Sequence, residues 1–164
     1  MKKLLLSFIA CLTIFLLCSC QSQGYGILKY QDKKISAECT LNGEYKILIE
    51  KSGEKRKISF LSPPALTHIS FEIDKEGVVG QAGELEIPLE NESVRGIFAL
   101  SNIFSLSEEC LTTAASEGGG AYMEFSTDYG TYRLTLGKNE LPSAVQIYST
   151  EYRYDITVDA ITVN

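Results

Sequence analysis

Short runs in which apolar and polar residues alternate make up most of this chain. The first clear run extends from Ile35 to Leu41, and Asn42-Gly43 ends it with residues typical of a tight hairpin turn. Similar runs follow as far as Leu89 and return from Met123 onwards. A two-residue period with turn-sized connections predicts short, antiparallel strands. The fold class is therefore mainly β, with a smaller helical part (α+β).

The hydrophobic period changes in mid-chain. From Val94 to Phe104 the apolar residues recur at steps of three and four, which predicts one helical face, and Ser93 is a candidate N-cap. A second helix start is predicted at Ser107, because Glu108 and Glu109 would lie in a first turn where the helix dipole favours acidic side chains. The predicted order is five or six strands, one helical segment and four strands.

The N-terminal residues have the profile of a signal peptide. Met1-Lys2-Lys3 is followed by an apolar stretch from Leu4 to Leu17, and the residues after Cys20 are polar. The stretch is shorter than the ~20 apolar residues that a membrane-spanning helix needs. Residues 1–19 are therefore predicted to be removed and to take no part in the fold.

Leu17-Cys18-Ser19-Cys20 resembles the lipobox of bacterial lipoproteins. The resemblance implies cleavage before Cys20 and acyl chains on that cysteine, with residues 20–34 as anchor and tether. It also implies a location on the extracytoplasmic face of the cell membrane, or on the outer membrane if the host is diderm. The alternative is an ordinary secretory signal with a coincidental cysteine.

Size and charge restrict what the mature chain can bind. Removal of residues 1–19 leaves 145 residues, which suits one domain, predicted at 35–164. The whole chain has 15 basic and 21 acidic residues. Loss of Lys2 and Lys3 leaves 13 basic and 21 acidic residues, which gives the mature chain a net charge of −8. Such an acidic domain is a poor nucleic-acid binder. Attachment to a membrane would therefore depend on acyl chains, not on anionic headgroups.

Two cysteines remain besides Cys20 in the mature chain. An extracytoplasmic compartment permits a disulfide between Cys39 and Cys110. The alternative is two buried, small apolar side chains, because free cysteine is among the most buried residue types.

Residues suited to catalysis are sparse. His68 is the only histidine, which excludes any site with two histidine ligands to a metal, and a surface position is the simpler interpretation. Glu108 and Glu109 are neighbours in sequence and would point in different directions on a helix. The run Lys55-Arg56-Lys57 is interpreted as the solvated start of a strand. No enzyme activity, metal or cofactor is predicted.

The order of elements resembles the LolA/LolB superfamily, some Gram-positive members of which are cell-surface lipoproteins. The resemblance rests on the lipobox, the hairpins, the phrase Ile58-Ser59-Phe60-Leu61-Ser62-Pro63, the mid-chain helix and Leu141-Pro142, and it covers about Ile35 to Val163. It implies a curved antiparallel β half-barrel with one helical segment inserted mid-chain. The long N-terminal helix of the carriers is missing or reduced between Gln21 and Lys34.

That fold implies a hydrophobic cavity for a lipid or for an acylated or hydrophobic envelope protein partner. Each of the expected lining residues could equally well be an ordinary residue of the hydrophobic core. They are Tyr45, Ile47, Ile58, Phe60, Ile69, Phe71, Ile87, Phe98 and Phe104. The alternative function is an envelope interaction module with a filled core and no cavity.

Overall fold

The computed structural model of the chain describes residues 30–90, 94–117, 120–137 and 139–164. The predicted signal peptide, Cys20, most of the tether and the candidate cap Ser93 lie outside these ranges. No helix in the described ranges is long and apolar enough to cross a membrane.

The described residues form eleven strands, one α-helix and several 3-10 turns. The strands before the helix are β1 (Ile35–Leu41), β2 (Tyr45–Ser52), β3 (Lys55–Ser62), β4 (Ile69–Asp74), β5 (Gly77–Ala82) and β6 (Leu85–Leu89). The helix α1 (Arg95–Ser101) continues into a 3-10 turn at Asn102–Phe104, and a second such turn lies at Glu108–Cys110. The strands after it are β7 (Leu111–Glu117), β8 (Gly120–Thr127), β9 (Gly130–Leu136), β10 (Pro142–Tyr148) and β11 (Arg153–Val163).

All eleven strands form one open antiparallel sheet. Its order is β6-β5-β4-β3-β2-β1-β11-β10-β9-β8-β7, so that hairpins extend outwards on both sides of a central β1–β11 pair. This pair joins Ile35 to Val163 and Leu41 to Ile156, with a bulge between Glu38 and Cys39. We refer to it as the seam.

The sheet is curved around α1. The helix packs against β3 and β4 on one side of the seam, and its Ala99 carbonyl accepts a hydrogen bond from Tyr132 of β9 on the other. A flat sheet would hold β3 and β9 about 24 Å apart, at ~4.8 Å per strand step. A seven-residue helix is only about 10 Å long and could not contact both strands if the sheet were flat. The predicted antiparallel half-barrel with a mid-chain helix is thus confirmed.

One hydrophobic core lies between the inner face of the sheet and the helical segment. The helical segment contributes Ala99, Leu100, Ile103, Phe104 and Leu106, all buried. The largest fully buried side chains of the sheet come from both sides of the seam; they include Ile47, Ile49, Ile58, Ile73, Met123, Phe125, Tyr132, Leu134, Val145 and Ile147.

The second predicted helix is wrong. Glu108–Cys110 is a single 3-10 turn, the Ser107 side chain does not cap it, and the chain then enters β7. Leu111 pairs with Phe125 and Ala114 with Met123, with a register shift between Leu111 and Thr113. Pairing with β8 buries more apolar surface than one isolated helical turn could, and two threonines favour the strand. Five strands, not four, therefore follow the helical segment.

Gly130 begins β9 at a point where the backbone tolerates no side chain. Its φ is +127°, and a Cβ there would lie 2.5 Å from the Tyr148 carbonyl oxygen. We expect Gly130→Ala to lower the free energy of unfolding by about 3 kcal/mol, because backbone strain and a steric clash combine. Urea denaturation measures the change.

Gly43→Ala is the matched control. Gly43 also has a positive φ, of +72°, but no atom lies within 4 Å of its Cβ position. Gly43→Ala should therefore lower the free energy of unfolding by about 1 kcal/mol, through backbone strain alone. Equal losses in the two variants would contradict the clash at Gly130.

Candidate functional site

The strand register arranges the inner face of the sheet in cross-strand rows. One row passes from Ile58 to Phe71, Gly80 and Ile87 on β3 to β6. A neighbouring row at the same rim joins Ile69, Ala82 and Leu85. Residues that pair directly across antiparallel strands point to the same side of the sheet. Leu85 and Ile87 on the edge strand therefore face the same side as the buried core.

Helix α1 is attached to the inner face at both of its ends. Near its start, Arg95 donates a hydrogen bond to the Asp128 carbonyl at 2.8 Å, and Gly96 lies so close to Tyr154 that a Cβ would collide with the Tyr154 hydroxyl. At its end, Arg56 Nη1 donates to Asn102 Oδ1. Phe98 stacks on Tyr129 with ring centroids 5.4 Å apart. The helical segment thus covers the middle of the inner face in this structure.

The predicted cavity residues fall into three groups. Ile47, Ile58 and Phe104 are core residues, each exposed by 3% or less. Ile87 is exposed, at 43%. The remaining five are half-buried; they are Tyr45, Phe60, Ile69, Phe71 and Phe98.

The uncovered apolar side chains gather at one rim of the inner face. We call Tyr45, Phe60, Ile69, Phe71, Leu85 and Ile87 the inner apolar surface. Tyr45 and Phe60 meet edge to face at 6.3 Å, and the other four belong to the two rows that end on β6. Leu85, exposed by 59%, was not predicted as a lining residue. Its alternation with Glu84 and Glu86 was the signal in the sequence that could have identified it.

Four clefts formed by described residues have volumes of about 280 to 460 Å³. Each of these four is lined partly by charged or polar side chains. One of about 460 Å³ includes Lys51, Arg56 and Lys75. Another, of about 420 Å³, lies between Ser105–Cys110 and Ser126–Tyr129. The apolar rim and the polar clefts are therefore separate features of the molecule.

Cys39 and Cys110 are both free thiols. Cys39 is buried on β1, whereas Cys110 is half-buried and accepts a contact from the Ser107 hydroxyl at 3.4 Å. The structure has no bridge between the two, and only Cys39 is buried. Burial raises the pKa of the Cys39 thiol to about 12, and the charge of Asp159 adds to this effect. Cys39 is consequently an unreactive thiol at neutral pH.

The residues considered for catalysis lie on the surface. His68 is exposed in the turn before β4 and makes no side-chain hydrogen bond within the described chain, while Glu108 and Glu109 are exposed on their 3-10 turn. Within the same residues, no cluster of three or more histidine, cysteine, aspartate or glutamate side chains could hold a metal ion.

Comparison with known proteins finds similarity of structure. No family model matches the chain, and no curated protein matches its sequence. An uncharacterized conserved protein from Thermus thermophilus has a TM-score of 0.49 and 12% identity over 84% of this chain and 83% of that one. A LolA superfamily protein from Nitrosomonas europaea has a TM-score of 0.42 and 8% identity over 84% and 92%. A domain from Vibrio parahaemolyticus has a TM-score of 0.45 and 11% identity over 87% of both chains.

The structural neighbours include LolA superfamily proteins. The Vibrio parahaemolyticus domain is described as an outer membrane lipoprotein-sorting protein domain. The similarity is one of structure, with TM-scores of 0.42 and 0.45. At TM-scores below 0.5, the activities of those proteins do not transfer to this chain, and its function is inferred from its own residues.

The Tyr132 hydroxyl holds α1 against the inner face. It is fully buried and donates to the Ala99 carbonyl at 3.0 Å. We expect Tyr132→Phe to lower the free energy of unfolding by about 1–2 kcal/mol, because the Ala99 carbonyl would be left buried without its donor. Chemical denaturation measures the loss.

Tyr148→Phe serves as the comparison for this prediction. Tyr148 is half-buried and donates to Gln146 Oε1 at 2.7 Å, and water can replace its hydroxyl there. This variant should lose less than about 0.5 kcal/mol. Equal losses in the free energy of unfolding would contradict a larger contribution from the hydrogen bond between Tyr132 and Ala99.

Proposed function

We propose that this chain is a lipid-anchored extracytoplasmic protein without enzymatic activity that binds the acyl chain of a lipid or of an acylated partner. The observation that carries the proposal is the inner apolar surface. Its six side chains face the same side as the core, yet they remain half-buried or exposed at the rim. Such a surface gains free energy when an apolar ligand covers it, at about 25 cal/mol per Å².

An acyl chain suits this surface better than a charged ligand does. The six side chains that define it carry no charge, and the only polar atom among them is the Tyr45 hydroxyl. Gly80 lies between Phe71 and Ile87 in their row, and the Leu89 and Phe71 side chains pack over it. A slender, flexible chain can lie along such an apolar row with many close contacts.

A membrane location would bring such ligands within reach. The lipobox-like Leu17-Cys18-Ser19-Cys20 supports lipidation at Cys20. Two or more acyl chains would hold the domain stably, whereas one gives only marginal binding. The proposed sites are the extracytoplasmic face of the cell membrane or, in a diderm, the outer membrane.

An interaction module is the second candidate. β6 is an edge strand of the sheet that the described residues form, and its Leu85 and Ile87 are the most exposed large apolar residues of that sheet. The helical segment over the middle of the inner face favours this function over a deep carrier cavity. Both candidates use the same rim, and they differ in whether a lipid or a protein covers it.

A pair of serine substitutions tests the inner apolar surface. The neutral fluorophore N-phenyl-1-naphthylamine serves as the probe for the purified domain. We expect Ile87→Ser to weaken its binding about tenfold, which corresponds to removal of one well-covered aliphatic side chain. Fluorescence titration measures the dissociation constant.

Leu61→Ser is the matched control. Leu61 is exposed to almost the same extent, 41% against 43%, but it lies at the bulge of β3 and outside the rows of the inner apolar surface. Its loss should leave the affinity unchanged. Equal weakening by both substitutions, or no binding by the unsubstituted domain, would rule out the proposed ligand site. A protein captured by cross-linking at Ile87, without bound lipid in native mass spectrometry, would favour the interaction module.

Lipidation is tested separately by two cysteine substitutions. In cells supplied with an alkyne-labelled palmitate, Cys20→Ala should lose the label and Cys18→Ala should retain it. Only Cys20 follows a small residue, Ser19, whereas Cys18 follows Leu17. Gel fluorescence after click chemistry measures incorporation. Label retained by Cys20→Ala would contradict the anchor.

A further inference from the structure

Two positive charges lie on the inner face among apolar residues. Lys51 of β2 and Arg56 of β3 are register partners, and their row continues through Ile73 and Val78. Lys51 is exposed by only 6% and Arg56 is half-buried. The alternation Ile47, Ile49, Lys51 places the lysine inwards, although Lys55-Arg56-Lys57 was interpreted as a solvated strand start. For Arg56 that interpretation is wrong.

The protein itself neutralises these charges incompletely. Lys51 Nζ donates to the Gln31 carbonyl, and Arg56 Nη1 donates to the Asn102 side chain, so both described acceptors are neutral. In the part of the chain that the structure describes, neither cation forms a salt bridge with a carboxylate. The Arg56 Nε is buried with no acceptor. Like charges directly opposite in a sheet are destabilising, and a buried donor without a partner costs about 1–3 kcal/mol.

Burial also lowers the pKa of both side chains. For Lys51 the neighbouring charge of Arg56 lowers the pKa further, while Asp32 raises it. For Arg56, Tyr129, Tyr132 and Glu54 partly offset the effect of burial. The two cations are therefore held in the structure against a cost that an anion would relieve.

A cleft of about 460 Å³ opens beside this pair. Lys75 from the turn between β4 and β5 brings a third positive charge to it, and Asn102 and Ser105 bring neutral polar groups. Glu54 is the one carboxylate in its lining. The cleft thus has a positive excess in a chain whose net charge is −6.

We propose that this cleft is a binding site for an oxyanion, the phosphate group of a soluble ligand or of a lipid headgroup. Arg56 lines the cleft, and after Nη1 has bound Asn102 its Nη2 remains to donate to a phosphate oxygen. Lys51 and Lys75, which line the same cleft, supply two further positive charges. The site is separate from the inner apolar surface and does not rest on the proposed acyl ligand.

Phosphate-induced stabilisation tests the site in the intact protein, held in a neutral detergent. A ligand that binds only the folded state raises Tm with its concentration. We expect inorganic phosphate to raise Tm by about 3 °C or more relative to chloride at the same ionic strength. Dihexanoyl phosphatidylglycerol, below its critical micelle concentration, is the second arm. A larger shift with this lipid identifies the headgroup as the source of the phosphate, and a larger shift with the inorganic ion identifies a soluble ligand.

Four substitutions test whether the shift arises at the cleft. Lys51→Met and Lys75→Gln should each lose most of the phosphate-induced rise in Tm. Lys75 is exposed, so Lys75→Gln should fold even if Lys51→Met does not. Lys46→Gln removes the same charge from an exposed position on β2 and should keep the rise. Ile87→Ser should keep it too, which separates this site from the acyl site. No rise with either ligand, or an equal rise in Lys75→Gln and Lys46→Gln, overturns the proposal.

Discussion

The seam between β1 and β11 is the contact on which the rest of the sheet depends. Every other strand pair joins neighbours along the chain, with short connections. The seam alone joins residues more than one hundred positions apart, such as Ile35 and Val163, and it unites two sets of hairpins that have no other sheet contact. Closure of so long a loop costs entropy before any contact forms. The buried residues along the seam, among them Ala37, Cys39 and Ile156, must offset that cost.

The curvature of the sheet follows from the seam and from the helical segment together. Once the two halves are joined, α1 can contact β3 and β4 from one half and Tyr132 from the other only if the sheet bends around it. A helix of seven residues covers the centre and leaves a rim uncovered. The same short segment therefore both completes the core and exposes the apolar side chains to which we assign ligand binding.

Periodicity in the sequence was sufficient to predict most of this architecture. The six strands before the helix, the turn at Asn42-Gly43 and the helical stretch that begins at Val94 each have strong local signals. The strand β7 was missed, because Ser107-Glu108-Glu109 is an equally good local helix start and only pairing with β8 decides between the two. Propensity is a weak guide where tertiary contacts compete.

The candidate site was less accessible from the sequence. Alternation places Ile47 and Ile87 on the same face, but it cannot tell that one is fully buried and the other 43% exposed. That difference depends on where α1 lies, and its position is set by contacts of Gly96, Tyr132 and Asn102 with distant strands. Lys51 and Arg56 become a pair only once the register between β2 and β3 is known.

The edge strand β6 has one further consequence, for the solubility of the folded protein. An exposed edge with apolar side chains is a template on which other chains can add strands and aggregate. Here the edge is only five residues long, Glu84 and Glu86 flank Leu85, and Pro88 removes one backbone donor. Negative charge and the missing donor oppose stacking of one molecule on another. The folded protein can therefore display an apolar rim without polymerising through it.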